Sequence, residues 1–279
     1  MEFKTILVDM TEDDAREARL DTALILATWF GGRVAGVTAT GPLLDPYRSA
    51  GEAALRYQAM RADMLRRLDA AGTEALNRAL MRHRTKVEAF HRVVGQEAGW
   101  VLAAEGLTSD IVLPGLPGAS PELPALLASA AEYALVNAGR PILVVPPSAR
   151  LDPLHTAVVA WNGRREAARA VADALPLLRR AKRVIVHVVL TRSGAGGHVA
   201  GEQEASALVQ WLTTHDVRAS LRFDEASSAA ECLIGRVLVD DAGLLVAGGY
   251  GHSRLGELFL GGTTRTLLQN SPVPLLMSH

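Results

Sequence analysis

The sequence predicts a doubly wound α/β fold, built twice in tandem. Three observations predict it. Short apolar runs alternate with helical patterns along the whole chain, the runs lack polar alternation, and the second half repeats the first. A continuous apolar run suits a strand buried on both faces, hence a parallel strand between helices. Strand–helix alternation on this spacing gives an open sheet wound in both directions.

The strands are expected at Ile6-Leu7-Val8, Val34-Ala35-Gly36-Val37, Ile111-Val112-Leu113 and Ile142-Leu143-Val144-Val145 in the first half. In the second half they are Val158-Val159-Ala160-Trp161, Val184-Ile185-Val186-His187-Val188-Val189, Leu244-Leu245-Val246 and Leu275-Leu276-Met277. The first helix is expected to open at Thr11-Glu12-Asp13-Asp14, with Thr11 as its cap and acidic residues complementing the dipole. Ala15, Ala18, Ala23, Ala27 and Phe30 mark one face, and Gly31-Gly32 stops it. A matching helix follows Asn162-Gly163, with Ala167, Ala170, Val171, Ala174 and Leu178 on one face and Pro176 able to kink or end it. Residues 41–86 hold a Gly/Pro loop and then a long helical stretch through Ala53, Met60, Met64, Leu68 and Leu76. The Met60/Met64 stripe reads as a packed amphipathic face, or as a contact to a partner subunit.

Composition excludes several classes. The chain has 279 residues, 49% hydrophobic and 21% charged, enough to bury a real core. Its 29 Lys+Arg against 30 Asp+Glu leave a formal charge of −1, which argues against nucleic acid as a partner. One cysteine, Cys232, permits no disulfide framework and is expected in the core of a helix. The chain has no uncharged apolar stretch of about 18 residues, so no membrane span is expected. The apolar run at the start is too short for a signal peptide, which makes the expected location cytoplasmic.

The repeat is specific. With Gly115 set on Gly248, Gly118 falls on Gly251, Ser120 on Ser253, Leu127 on Leu260 and Leu135 on Leu268 without gaps. Asn137 then falls on Asn270, Pro141 on Pro274 and Leu143 on Leu276. The first strand–helix units also match, with Thr11 on Asn162. The Pro-rich stretch 146–153 is the natural linker, so the expected domains are 1–147 and 153–279.

Chemistry concentrates after the strand Leu244-Leu245-Val246. Gly248-Gly249-Tyr250-Gly251 follows it, and Gly261-Gly262-Thr263-Thr264 opens the last helix. Glycines allow backbone N–H groups to approach an anion, and a helix N-terminus adds donors and a favourable dipole. Thr263 and Thr264 supply hydroxyls, and Arg254 and Arg265 supply charge. The carboxyl ends of strands are where open α/β sheets bind ligands. A phosphate chain is the matching target.

Gly248, Gly251 and Gly261 at this spacing, with Asn270-Ser271-Pro272-Val273-Pro274 beyond, resemble the universal stress protein family in its tandem form. The resemblance covers nearly the whole chain, twice. It implies five parallel strands per unit in the order 3-2-1-4-5, the last strands of the two units pairing into a pseudo-dimer. It also implies either binding of ATP or a related adenine nucleotide, or a member that binds none. The candidate nucleotide residues are Asn162, Val188, Gly248, Gly251, His252, Arg254, Gly261, Gly262, Thr263 and Thr264.

Departures from the family pattern set the expected division of labour. Asn162 stands where the family has Asp, a change worth about 1 kcal/mol of sugar contact. Gly262 stands where a hydroxyl belongs, with Thr263 beside it. In the first half Thr11 replaces the Asp, Ala128 the third glycine, Pro117 removes an N–H, and Glu122 repels phosphate. The first half is therefore expected to bind nucleotide poorly or not at all.

The other signals are weaker. The eight histidines show no metal-ligand spacing, and His187 reads as a hydrogen-bonded core residue. Trp29, Trp100, Trp161 and Trp211 are expected in cores or at sheet ends. No carboxylate pair near the loop suggests acid–base chemistry or strong Mg²⁺ binding. The expected function is non-catalytic ATP binding in a stress response, by a chain that forms a homo-oligomer or an internal pseudo-dimer. The alternatives are a scaffold acting through protein contacts and a slow ATPase.

Overall fold

The computed structural model describes residues 2–42, 51–116, 129–191, 201–250 and 262–279. The first unit runs β1 (Thr5–Asp9), α1 (Arg16–Phe30), β2 (Arg33–Ala39), α2 (Glu52–His83), β3 (Ala89–Val94), α3 (Ala98–Gly106), β4 (Ile111–Leu113), α4 (Ala130–Asn137) and β5 (Ile142–Val144). The second runs β6 (Thr156–Ala160), α5 (Arg165–Leu178), β7 (Arg183–Thr191), α6 (Glu202–Thr214), β8 (Ala219–Ala226), α7 (Ala229–Val239), β9 (Leu244–Gly248), α8 (Gly262–Asn270) and β10 (Leu275–Ser278).

All ten strands form one sheet, ordered β3-β2-β1-β4-β5-β10-β9-β6-β7-β8. Each half is thus parallel in the order 3-2-1-4-5. The halves join where β5 meets β10 antiparallel, with Leu143 opposite Leu276. These two leucines are equivalent in the repeat, so a pseudo-twofold axis passes between them, as in an isologous dimer. Both are wholly buried.

The sheet separates two cores. One lies under α1, α2, α5 and α6 and includes Leu20, Leu24, Val171 and Leu212. The other lies under α3, α4, α7 and α8 and includes Leu102, Leu135, Leu233 and Leu268. Both run through both units. The linker belongs to the first of them, since Leu151 and Leu154 are buried there. Among the described residues, no helix is long and apolar enough to cross a membrane.

Local chemistry differs from the sequence expectation in four places. Helix α1 begins at Arg16 and has no side-chain cap from Thr11. Thr11 instead donates its hydroxyl to Asp9 at 2.7 Å, and Asp13 accepts the Ala15 N–H. Pro176 lies in the last turn of α5 and does not end it there, since the helix runs on to Leu178. In α2 only Ala54, Gly72, Ala75, Leu76 and Ala79 are buried, while Met60 is 72% exposed, so the methionine stripe is not packed. Trp100 and Trp211 are exposed, whereas Trp29 and Trp161 pack against the core. A helix of 32 residues is far longer than the six-residue strand that comes after it, and four of its five buried residues, Gly72, Ala75, Leu76 and Ala79, lie in its C-terminal half.

Leu276→Ala removes a fully buried side chain on the pseudo-dyad. It is expected to lower unfolding free energy by about 2–5 kcal/mol, measured by urea denaturation.

Candidate ligand site at the second switch point

In each unit the direction of winding reverses between the first and fourth strands, β1/β4 and β6/β9. The carboxyl ends of those pairs are the places where an open sheet leaves a crevice. The registers are equivalent: Ile6 pairs Ile111, and Ala157 pairs Leu244. One fold thus presents two comparable sites with different residues.

The first crevice is closed by the chain's own carboxylates. Asp9, only 3% exposed at the end of β1, accepts the Gly115 N–H at 3.0 Å and the Thr11 N–H at 2.9 Å. Asp13 accepts the Leu116 N–H at 3.1 Å. Arg19, wholly buried, places its fork on both Asp13 oxygens at 3.0 Å and donates to the carbonyls of Asp9 and Thr11. An internal anion already takes the loop amides that would face a ligand's anion. The sequence expectation for this half rested on Thr11, Pro117, Glu122 and Ala128, of which the last three lie outside the described residues; it did not single out the contacts of Asp9, Asp13 and Arg19.

The second crevice lacks those groups. At the offset that aligns β1 with β6, Asp9 becomes Ala160, Asp13 becomes Arg164 and Arg19 becomes Ala170. The same offset carries buried Leu20, Ala23 and Leu26 onto buried Val171, Ala174 and Leu177. A carboxylate position has become a cationic one. Trp161, one residue past β6, has a buried indole Nε1 with no partner among the described residues.

The predicted site residues fall as follows. Asn162 follows β6, and its Oδ1 accepts the Arg164 N–H at 3.1 Å, an Asx turn that opens α5. Val188 is buried in β7. Gly248 ends β9, and a Cβ there would meet the Ala167 nitrogen at 2.5 Å and the Glu166 carbonyl carbon at 2.6 Å. Its glycine is therefore required by the approach of strand to helix, whatever binds nearby. Gly262 and Thr263 are exposed at the start of α8, and a Cβ on Gly262 would meet nothing within 4 Å. Thr264 is buried and accepts the Tyr250 N–H on its hydroxyl at 3.1 Å. The loop after β9 and the first turn of α8 are thus brought together. Gly251, His252, Arg254 and Gly261 lie outside the described residues.

The described amides of this turn have partners within the chain. The Gly249 N–H donates to the Ser278 carbonyl at 2.9 Å. Tyr250 holds a left-handed φ of 54° and sends its hydroxyl to Glu132 at 3.0 Å. Burial raises the Tyr250 phenol well above its ordinary range, and the Glu132 charge adds to this. Arg265 donates to the same Glu132 oxygen at 3.2 Å. Glu132 and Arg265 are equivalent residues of the repeat, so this ion pair crosses the pseudo-dyad and ties the second loop to α4. Glu166, in the first turn of α5, is buried beside Arg165. Burial pushes its carboxyl up, but the Arg165 hydrogen bond, its own backbone N–H and the Arg165 and His279 charges outweigh this and hold it below its ordinary value.

No protein-family model matches the sequence, and no curated protein matches it. Solved structures do. A universal stress protein from Archaeoglobus fulgidus superposes with a TM-score of 0.68 at 13% identity, over 99% of this chain and 96% of that one. The fold is that of the universal stress proteins. A functionally unknown protein from Pseudomonas aeruginosa superposes with a TM-score of 0.59 at 15% identity, over 99% of this chain and 92% of that one. Both similarities extend through both units, so the tandem universal-stress-protein architecture is shared as a whole.

Two outcomes follow from the site's packing. Gly248→Ala pushes a methyl into the α5 backbone and is expected to cost about 1–3 kcal/mol in denaturant unfolding. A depressed Glu166 pKa contributes stability above the unfolded carboxylate value that is lost as pH falls through the folded value. Unfolding measured across that acid range should therefore be less pH-dependent in Glu166→Gln than in the parent.

Proposed function

We propose that the second unit binds an adenine nucleotide, ATP or a relative, without turning it over. Its phosphates lie toward the Gly248–Tyr250 turn and the opening of α8, and its sugar toward Asn162. The observation that carries this reading is the charge reversal between the two switch points. Where the first unit seals its crevice with Asp9 and Asp13, the second has Ala160 and Arg164. A polyanion repelled by the first set is attracted by the second. The exposed start of α8, with Gly262 and Thr263, adds helix-terminal donors, each charge there worth about 0.3–1 kcal/mol. The cross-dyad link from Tyr250 to Glu132 gives occupancy a path to the first unit. A stress-response role and a cytoplasmic location accompany this reading by analogy of fold.

A second reading is a scaffold that acts through protein contacts. It is favoured by the internal bond from the Tyr250 N–H to the Thr264 hydroxyl, which uses groups a phosphate would want.

Calorimetric titration with ATP separates the two. A single site is expected in the parent chain. Ala160→Asp combined with Arg164→Asp, which copies the first unit's carboxylates into the second, should weaken it by more than about tenfold, or 1.4 kcal/mol. No heat and no retained nucleotide at millimolar ATP would leave only the scaffold reading.

A further inference from the structure

A second polar cluster stands beside the carboxyl end of β7. It is built from β7, β8 and α7. A ring nitrogen of His187, a carboxylate oxygen of Asp224 and the Cys232 sulfur all lie within 4.8 Å of one another. His187 is 1% exposed, and its Nε2 meets Asp224 Oδ2 at 2.8 Å. Its Nδ1 is buried and has no hydrogen-bond partner among the described residues.

The fold does not require polar groups here. Register equates His187 with Val37 of β2 and Asp224 with Val94 of β3. In the first unit both valines pack into the hydrocarbon core on the α3/α4 face. The same place in the second unit carries a nitrogen, an oxygen and a sulfur donor. Hydrogen bonding accounts for part of the set: Arg236, one turn beyond Cys232 on α7, clamps Asp224 through Nε at 2.9 Å and a terminal nitrogen at 2.7 Å. It does not account for a thiol placed among these groups.

We propose that His187, Asp224 and Cys232 form a binding site for a borderline-soft divalent cation of the zinc class. Imidazole, carboxylate and thiolate are a donor set suited to zinc, not to magnesium or calcium. Metal–ligand bonds of about 2.0–2.3 Å in a tetrahedron set donors about 3.3–3.8 Å apart. The His187–Asp224 contact therefore opens slightly and the sulfur closes in, which are movements on the scale of side-chain torsions. Binding replaces the Cys232 S–H bond with a metal–sulfur bond and releases the proton to solvent. Cys232 and Asp224 are partly exposed, which gives the ion a way in, and water completes the coordination. Arg236 neutralises Asp224 in the metal-free chain and is the cation that the metal displaces.

The test uses untagged, metal-stripped, full-length chain without nucleotide, titrated with Co²⁺ and then competed with Zn²⁺. Saturation at one Co²⁺ per chain is expected, with a thiolate-to-cobalt absorption in the near ultraviolet that Zn²⁺ abolishes. Cys232→Ser should lose that absorption. His187→Gln and Asp224→Asn should each weaken binding by more than about tenfold. Asp224→Asn serves as the partly exposed companion should the buried variant fail to fold. Arg236→Gln should tighten binding, because the competing cation is gone. Absence of the band at stoichiometric Co²⁺, its survival in Cys232→Ser, or weaker binding in Arg236→Gln would each overturn the site.

Discussion

The antiparallel pairing of β5 with β10 is the contact on which the rest of the molecule depends. Each unit alone would end in a short apolar strand, Ile142–Val144 or Leu275–Ser278, with an open edge. Such an edge invites pairing with another chain. Here the two edges satisfy each other, and Leu143 meets its own repeat partner Leu276. Ten strands become one sheet, each face carries one core shared by both units, and the two switch points are fixed at a set distance on one scaffold.

That symmetry makes the differences between the units informative. Gene-like repetition supplies two crevices of the same geometry, and the side chains decide what each does. The first places Asp9 and Asp13 on the amides of Gly115 and Leu116, with the buried Arg19 paired to Asp13. The second gives up those bonds and exposes cationic character. The comparison runs the other way on the opposite face of β2 and β7, where hydrocarbon in the first unit becomes His187, Asp224 and Cys232 in the second. There the second unit carries polar groups that the fold itself does not demand.

The dyad also couples the units chemically. Glu132 caps α4 together with Ser129, receives the Tyr250 hydroxyl and pairs with Arg265. One buried carboxylate thus serves helix, loop and interface. A movement of Tyr250 removes one partner of this buried carboxylate and leaves it to Arg265 and the Ser129 N–H.

The sequence by itself determined eight of the ten strand positions and the tandem repeat, because burial on both strand faces writes a continuous apolar run that needs no partner to be read; the edge strands β3 and β8, with no fully buried residue, left no such run, and the meeting of the last strands was implied by the family resemblance. It also located the Gly248 turn and its approach to Thr264. It did not reveal why Gly248 must be glycine, since the answer is the α5 backbone lying across it. Nor did it reveal the acids at the first crevice: Asp13 read as a helix-start residue and Asp9 drew no reading, whereas Gly115 and Leu116, about a hundred positions on, donate to them. His187, Asp224 and Cys232 have no metal-like spacing along the chain, because three separate elements contribute one donor each. Periodicity is local and survives in one dimension, whereas charge pairing and ligand clusters form between residues far apart, and only the folded chain decides which of them meet.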